Sequence, residues 1–311
     1  MIPWAASAQS DNYPARPVKL IVPFPAGGSA DFVSRMISER LSTLWKQPVI
    51  VENKPGGGTT IGLTAIAKAA PDGYTIGMNS ISHIIQPAVR TMLPYDTLED
   101  FEFITKVMEA PFVLTVNSGL PIMNLKDLVA YANKSPGALN FASFGIGSAG
   151  HIFFEILAQR TGIKAVHIPY KGTSEATAAQ LTGDVALMFD LAMSPLPHIK
   201  QGKLRALLVT TSQRFRELPD TPTSREAGIP ELEMPTWFGI VAPRGIPPAI
   251  LHKLNASIAQ VMLSPDLVSA LEKQGMSSVP NSSEEFRAFA VRSVKQIRDA
   301  ASAGNIPKVD K

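Results

Sequence analysis

Three segments of the 311-residue chain combine glycine with small hydroxyl residues where a strand should hand over to a helix. They are Pro23-Phe24-Pro25-Ala26-Gly27-Gly28-Ser29-Ala30-Asp31, Pro55-Gly56-Gly57-Gly58-Thr59-Thr60, and Gly145 to Gly150. Glycine lets the backbone approach a ligand closely, and a helix start offers unpaired N–H groups and the positive end of its dipole. The chemistry is anion binding, to a carboxylate or a phosphate. The same residues also read structurally, since tight turns favour glycine and Ser29, Asp31, Thr59 and Ser148 suit helix N-caps. Three such turns in one chain favour the ligand reading.

Catalytic readings are weaker. Gly145, Gly147 and Gly150 match the dinucleotide pattern G-x-G-x-x-G, but the acid expected about 20 residues on to hold the ribose is replaced by His167-Ile168-Pro169-Tyr170-Lys171. Lys171 could meet a 2′-phosphate, which keeps an NADP-linked oxidoreductase using the Gly145–Gly150 loop as the alternative. A serine hydrolase would need G-x-S-x-G around Ser148, where Ile146 fills the first glycine position; no acid is evident to orient His151. Walker A and H-E-x-x-H sequences are absent, and the five histidines show no metal-ligand spacing, so neither catalytic residues, nor a metal, nor a cofactor is expected.

Asp31 and Asp190 are the acids nearest the expected site. A carboxylate facing an anionic ligand is repelled unless protonated or separated by water, so capping or water-holding roles fit them better than direct pairing. Lys171 and Arg244 read as surface charges. Phe24, Phe32, Phe144, Phe189 and Met193 border these loops or strand ends; most are core, and some would present apolar walls to a flat ligand.

The elements that must hold these loops follow an α/β pattern. Val18–Val22 reads as a buried strand, and Val33, Ile37, Leu41 and Leu44 as the core stripe of a helix. A strand from Pro48 to Val51, a helix from Thr60 to Ala69 and a strand at Tyr74–Met78 complete β-α-β-α-β, the pattern of a parallel sheet. A second α/β unit has strands near Phe112–Val116, Leu139–Ala142, Ala165–Ile168, Val185–Phe189 and Leu204–Val209. One more strand, Trp237 to Val241, precedes three helices beginning near Pro247, Pro265 and Ser283. A lone strand cannot form a sheet, so it should join the first. The chain then crosses between domains twice, near Lys106–Val113 and Glu233–Ile240, leaving a cleft between two sheets. The first domain comprises 11–110 plus 236–311 and the second 111–235.

Composition sets the limits. The chain is 45% apolar and 18% charged, with 29 basic and 26 acidic side chains leaving a net charge of +3, too weak to argue for nucleic acid. There is no cysteine, which removes disulfides, thiol nucleophiles and thiolate metal sites together. The run Ser135 to Phe154 lacks charge, but its glycines and serines make it strand, loop and helix start instead of a membrane span. Ala6-Ser7-Ala8 before Gln9 has the small-x-small form of a signal-peptidase site, so 1–10 read as the remnant of an export signal or as a flexible terminus.

Several motifs in order carry a resemblance. Val22-Pro23-Phe24-Pro25-Ala26-Gly27-Gly28-Ser29-Ala30-Asp31, Glu52-Asn53-Lys54-Pro55-Gly56-Gly57-Gly58, Pro71-Asp72-Gly73-Tyr74-Thr75, Leu93-Pro94-Tyr95-Asp96, His167-Ile168-Pro169-Tyr170-Lys171-Gly172 and Leu218-Pro219-Asp220-Thr221-Pro222-Thr223 resemble the Bug family, the extracytoplasmic solute-binding proteins of tripartite tricarboxylate transporters. The resemblance implies a two-lobed fold of the periplasmic binding protein type II kind, two α/β domains joined by two crossover segments. It also implies a periplasmic monomer that closes on a small carboxylate and delivers it to membrane permease subunits. Carried over, it picks out Ala26, Gly28, Ser29 and Asp31 in the first loop, beside Phe24. Ser143, Gly147, Ser148 and Thr173 would close on the ligand's other end, with Thr60, Asn79 and Asp190 lining the cleft. Gly57 stands where the family often carries alanine. The aromatic-bordered loops, through Phe24, Phe32 and Phe144, favour an aromatic mono- or dicarboxylate such as a phthalate-type compound.

Overall fold

Strand β1 (Val18–Val22) is apolar at four of its five positions and runs buried between two parallel neighbours, β2 (Val49–Asn53) and β3 (Thr75–Ser80). Helices α1 (Ser29–Trp45), α2 (Thr60–Ala67) and α3 (Ile81–Val89) follow these strands in turn, as the short loops between them require. In this computed structural model the described residues are 12–134, 137–234, 236–303 and 308, so the expected export-signal remnant at 1–10 lies outside them.

The sequence pattern misses α3 and the strand after it, β4 (Phe101–Ala110). Glu102, Lys106 and Glu109 interrupt β4's apolar run and make it read as a linker, yet these are its half-buried positions, and Lys106 pairs with Glu109 along the same strand. The first crossing is therefore shorter than expected: Pro111 alone separates β4 from β5 (Phe112–Asn117), which belongs to the other sheet.

The second unit continues with α4 (Leu125–Lys134), β6 (Asn140–Ser143), α5 (Ala149–Thr161), β7 (Val166–Pro169) and α6 (Thr173–Thr182). Then come β8 (Leu187–Leu191), α7 (Leu196–Lys200) and β9 (Leu204–Val209). The chain returns through β10 (Thr236–Pro243), whose eight residues are all buried, and ends in α8 (Pro248–Met262), α9 (Pro265–Glu272), β11 (Ser277–Ser278) and α10 (Ser283–Ala303).

Two sheets result, one ordered β11-β4-β10-β3-β1-β2 and the other β7-β6-β8-β5-β9. The returning strand does join the first sheet, between β4 and β3. Neither sheet is wholly parallel. β10 runs antiparallel to both neighbours, and so does β5, because each enters its sheet from the other lobe instead of through a helical crossover. Trp237 on β10 meets Phe286 and Phe289 of α10 edge-on, at 5.4 and 5.5 Å between ring centroids, which pins the C-terminal helix to the first sheet.

Candidate functional site

A narrow cavity lies between the two sheets. Its first-lobe wall begins at the loop after β1. Gly28 is the N-cap of α1, and with no side chain it leaves the first helical amides uncapped. Asp31 does not turn into the cavity. Its Oδ2 accepts from the Gly27 N–H and from Arg35 Nε, each at 2.9 Å, and its Oδ1 accepts from Asn53 Nδ2 at 3.0 Å. The same Asn53 nitrogen donates to the Phe24 carbonyl at 3.0 Å. Burial alone would raise the Asp31 carboxyl, but hydrogen bonds from Arg35, Gly27 and Asn53 together hold it below the usual carboxylate range. Asp31 fixes the shape of the loop.

The junction of β3 and α3 supplies the next part of the wall. The Ser80 hydroxyl caps α3 by accepting from the Ser82 N–H at 3.2 Å, and the Ser82 hydroxyl accepts the Ala149 N–H of α5 across the cleft, also at 3.2 Å. Thr236 and Phe238 of β10 close this side.

The opposing wall comes from the second lobe: Phe112, Phe144, Ala149, Thr173 and Ser174, with Asp190 and Leu191 at the end of β8. Helix α6 starts behind Gly172, another N-cap without a side chain. Pro25 packs so closely on Gly172 that a Cβ there would lie 2.2 Å from the proline Cγ, so glycine sets how near the lobes approach. Phe24 and Phe144 meet across the cleft edge-on, with centroids 6.1 Å apart.

Electrostatically the wall is unusual. Among the described residues no lysine, arginine or histidine borders the cavity, and the ionisable side chain that does is Asp190. Asp190 Oδ1 accepts the Leu191 N–H at 2.8 Å, while Oδ2 is buried with no hydrogen-bond partner. Burial pushes this carboxyl up to about 7, against the smaller opposing effects of the Ser194 hydroxyl, the Leu191 amide and the Thr173 hydroxyl. Ser29 Oγ and Thr236 Oγ1 are likewise buried without partners. Three hydrogen-bonding atoms and the uncapped starts of α1 and α6 thus share one space with four phenylalanines.

Of the residues expected at the site, Phe24, Gly28, Ser29, Thr173 and Asp190 border the cavity, whereas Ala26, Asp31, Thr60, Asn79, Ser143, Gly147 and Ser148 do not. Thr60 donates to the Gly57 carbonyl at 2.7 Å. Asn79 is buried, with Nδ2 3.4 Å from His83 Nδ1. Ser143 bonds His167 Nε2 at 2.7 Å and the Gly145 carbonyl at 3.1 Å, bracing the loop from behind. Phe32 also stands off the cavity, packed against the core, so the aromatic wall is Phe24, Phe112, Phe144 and Phe238 instead. Ser80, Ser82 and Thr236 also line the cavity; Ser82 and Thr236 carry no sequence signal, whereas Ser80, directly after a β-strand pattern, is an N-cap signal.

The enzymatic alternatives find no support in this geometry. The Gly145–Gly150 loop lies against the first lobe, with a Cβ on Gly145 falling 3.2 Å from Gly58 N, where a pyrophosphate would have to sit. Ser148 Oγ is buried without a partner, and His151 spends Nδ1 accepting the Gly147 N–H at 3.0 Å, so no base reaches that serine. Among the described residues no group of three histidine, cysteine or acidic side chains is placed to hold a metal. No helix among them is long and apolar enough to cross a membrane.

Comparison with known proteins points the same way. Residues 33–303 match the family model described as the tripartite tricarboxylate transporter family receptor. The chain is 37% identical over 294 residues to protein BugT of Bordetella pertussis, covering 94% of this chain and 90% of that one. The structure of the periplasmic binding protein BugD superposes with a TM-score of 0.91 at 32% identity, covering 96% of this chain and all of that one (100%). An R. palustris protein solved with adipate superposes with a TM-score of 0.90 at 30% identity, covering 96% and 100%. The chain belongs to the family of tripartite tricarboxylate transporter receptors.

Proposed function

We propose that the protein is a periplasmic receptor that captures a small carboxylate between its lobes and delivers it to the membrane permease of a tripartite tricarboxylate-type transporter. The observation that carries this is the inter-lobe cavity itself. Uncapped starts of α1 and α6 border it, Ser29 and Thr236 bring it hydroxyls without partners, and among the described residues no cationic side chain lines it. Amide N–H groups and helix dipoles hold an anion without a counter-ion. No bond is made or broken.

Segments 11–110 plus 236–311 would move as one body against 111–235, about Pro111 and the stretch before Thr236, and the ligand would favour the closed form by touching both. Phe24, Phe112, Phe144 and Phe238 suit a ligand with a flat apolar middle, which supports a phthalate-type acid; the adipate bound by the R. palustris relative supports an aliphatic chain.

A thermal-shift screen of phthalates and benzoates against adipate, malate and citrate decides between them. A ligand at 100 times its Kd adds about 2.7 kcal/mol, which is readily visible. Stabilisation by aliphatic acids alone removes the aromatic assignment, and no shift with any acid removes the receptor reading.

A further inference from the structure

Asp190 sets a problem that the anion-binding cavity does not solve by itself. The residue is 3% exposed, its Oδ2 has no hydrogen-bond partner, and it borders the space meant for a negatively charged guest. Among the described residues the neighbouring elements bring no cationic side chain to the cavity. β5 and β6 carry no titratable side chain; α5 carries His151, Glu155 and Arg160, α6 carries Glu175, and α7 carries His198 and Lys200. From the first lobe the nearest elements bring Asp31, Arg35 and His83, and the loop before α6 brings Lys171. None of these borders the cavity.

An ionised Asp190 would therefore be a buried charge with no cation beside it, and a ligand carboxylate next to it would add repulsion in a cavity walled by phenylalanine. A neutral Asp190 reverses this, because its O–H is a donor aimed at the same guest as Ser29 Oγ and Thr236 Oγ1. Resting on the receptor reading above, we propose that Asp190 is a specificity-determining residue that binds as the neutral acid, donating from Oδ2 to a ligand carboxylate oxygen, so that capture of a carboxylate above neutral pH also captures one proton from solvent. The proton stays on or between the two carboxyl groups, and no covalent bond changes. Burial of this carboxyl, which raises its pKa to about 7, agrees with this. The competing arrangement, an ionised Asp190 holding a ligand ammonium, would place that cation against the positive ends of α1 and α6.

Calorimetric titration of the full chain with adipate and with phthalate tests the assignment. At pH 8, runs in phosphate and in Tris, whose ionisation heats differ, should report uptake of about one proton per ligand bound, and at pH 5.5 about none. Kd should weaken by up to tenfold per pH unit above neutrality. Asp190→Asn, whose amide still donates, should lose both the proton uptake and the pH slope; Asp190→Leu should weaken binding at every pH. Zero uptake or proton release at pH 8, or an Asp190→Asn protein that keeps the pH slope, overturns the proposal. So does tighter binding of glutamate than of glutarate, which would mean that Asp190 holds an ammonium. If neither variant folds, the buffer-heat measurement on the natural protein still decides. Failure of every acid to bind overturns the receptor reading as well, whereas binding without proton uptake overturns only the role of Asp190.

Discussion

Gln86 on α3 of the first lobe donates its side-chain amide to the carbonyl of Gly147 in the second lobe at 3.0 Å, and to the carbonyl of Gly58 at 2.9 Å. Arg90, one turn on, reinforces the link. Its Nε donates to Gln86 Oε1 at 2.5 Å, and its Nη2 reaches the carbonyls of Gly57 at 3.0 Å and Ile146 at 3.1 Å. Two glycine-rich loops read from the sequence as ligand loops therefore present carbonyls to a clasp between the lobes.

If the clasp supports the closed form, Gln86→Ala should open the protein. Only the bond to Gly147 spans the lobes; a net hydrogen bond is worth about 0.5–1.5 kcal/mol, so its loss should weaken carboxylate binding roughly 2- to 12-fold. Without ligand, the radius of gyration from small-angle scattering should rise. An unchanged affinity together with unchanged scattering would show that the clasp does not bear on closure.

Glycine acts at two facing positions for different reasons. A Cβ on Gly172 would lie 2.2 Å from Pro25 Cγ, whereas one on Gly28 would be 3.9 Å from Thr173 Cβ, an ordinary contact. Gly172→Ala should therefore leave the melting temperature nearly unchanged but prevent full closure, weakening binding and abolishing ligand-induced compaction. Gly28→Ala should be tolerated, and only a larger side chain such as leucine should block the cavity. If Gly172→Ala binds as tightly as the natural protein, the approach of Pro25 does not limit closure.

The pH dependence of stability has two opposed contributions. Burial lowers His151 and His167 to about 4, the latter helped by its neighbour, and lowers His83 to about 3. His151 and His167 stack with ring centroids 4.1 Å apart behind the Gly145–Gly150 loop. Because the folded values lie below the ordinary histidine value of 6.5, their stabilisation is complete above pH 6.5 and is lost progressively as pH falls toward 4. Asp190, raised to about 7, has the opposite sign: its burial costs stability as pH rises from near 4 to 7. Thermal melts should accordingly show His151→Gln with a flatter acid limb. Asp190→Asn should be stabilised above pH 7 and show a steeper acid limb than the natural protein. Parallel curves for all three proteins would contradict both assignments.

The sequence reveals what local pattern encodes. β1, β9 and the three C-terminal helices are legible because their apolar residues keep a single period, and the glycine turns because few other residues suit them. β4 is hidden by three charged residues that sit at its half-buried positions. Gln86 and Arg90 carry no signal of this role in the sequence, because the loop carbonyls they hold lie 28 to 61 residues away and come together only on folding. Asp31 and Asp190 look alike as acids at loop edges, yet at Asp31 the hydrogen bonds from Arg35, Gly27 and Asn53 outweigh burial, whereas at Asp190 burial outweighs those from Ser194, Leu191 and Thr173. That difference in surroundings arises only on folding.

The aromatic wall offers a last discrimination. Phe24 belongs to the first lobe and Phe144 to the second, and their edge-to-face contact forms only when the lobes come together, with Phe238 behind one ring at 6.0 Å and Phe112 behind the other at 6.4 Å. Truncating one ring costs every ligand some closure energy, but a ligand carrying its own ring loses a stacking partner besides, worth about 0.5–1.5 kcal/mol. Phe144→Ala should therefore weaken phthalate roughly 2- to 12-fold more than it weakens adipate, measured by parallel calorimetric titrations. Equal losses for the two acids would mean that the rings serve closure alone, and the preference for a flat ligand would then have no physical basis in this wall.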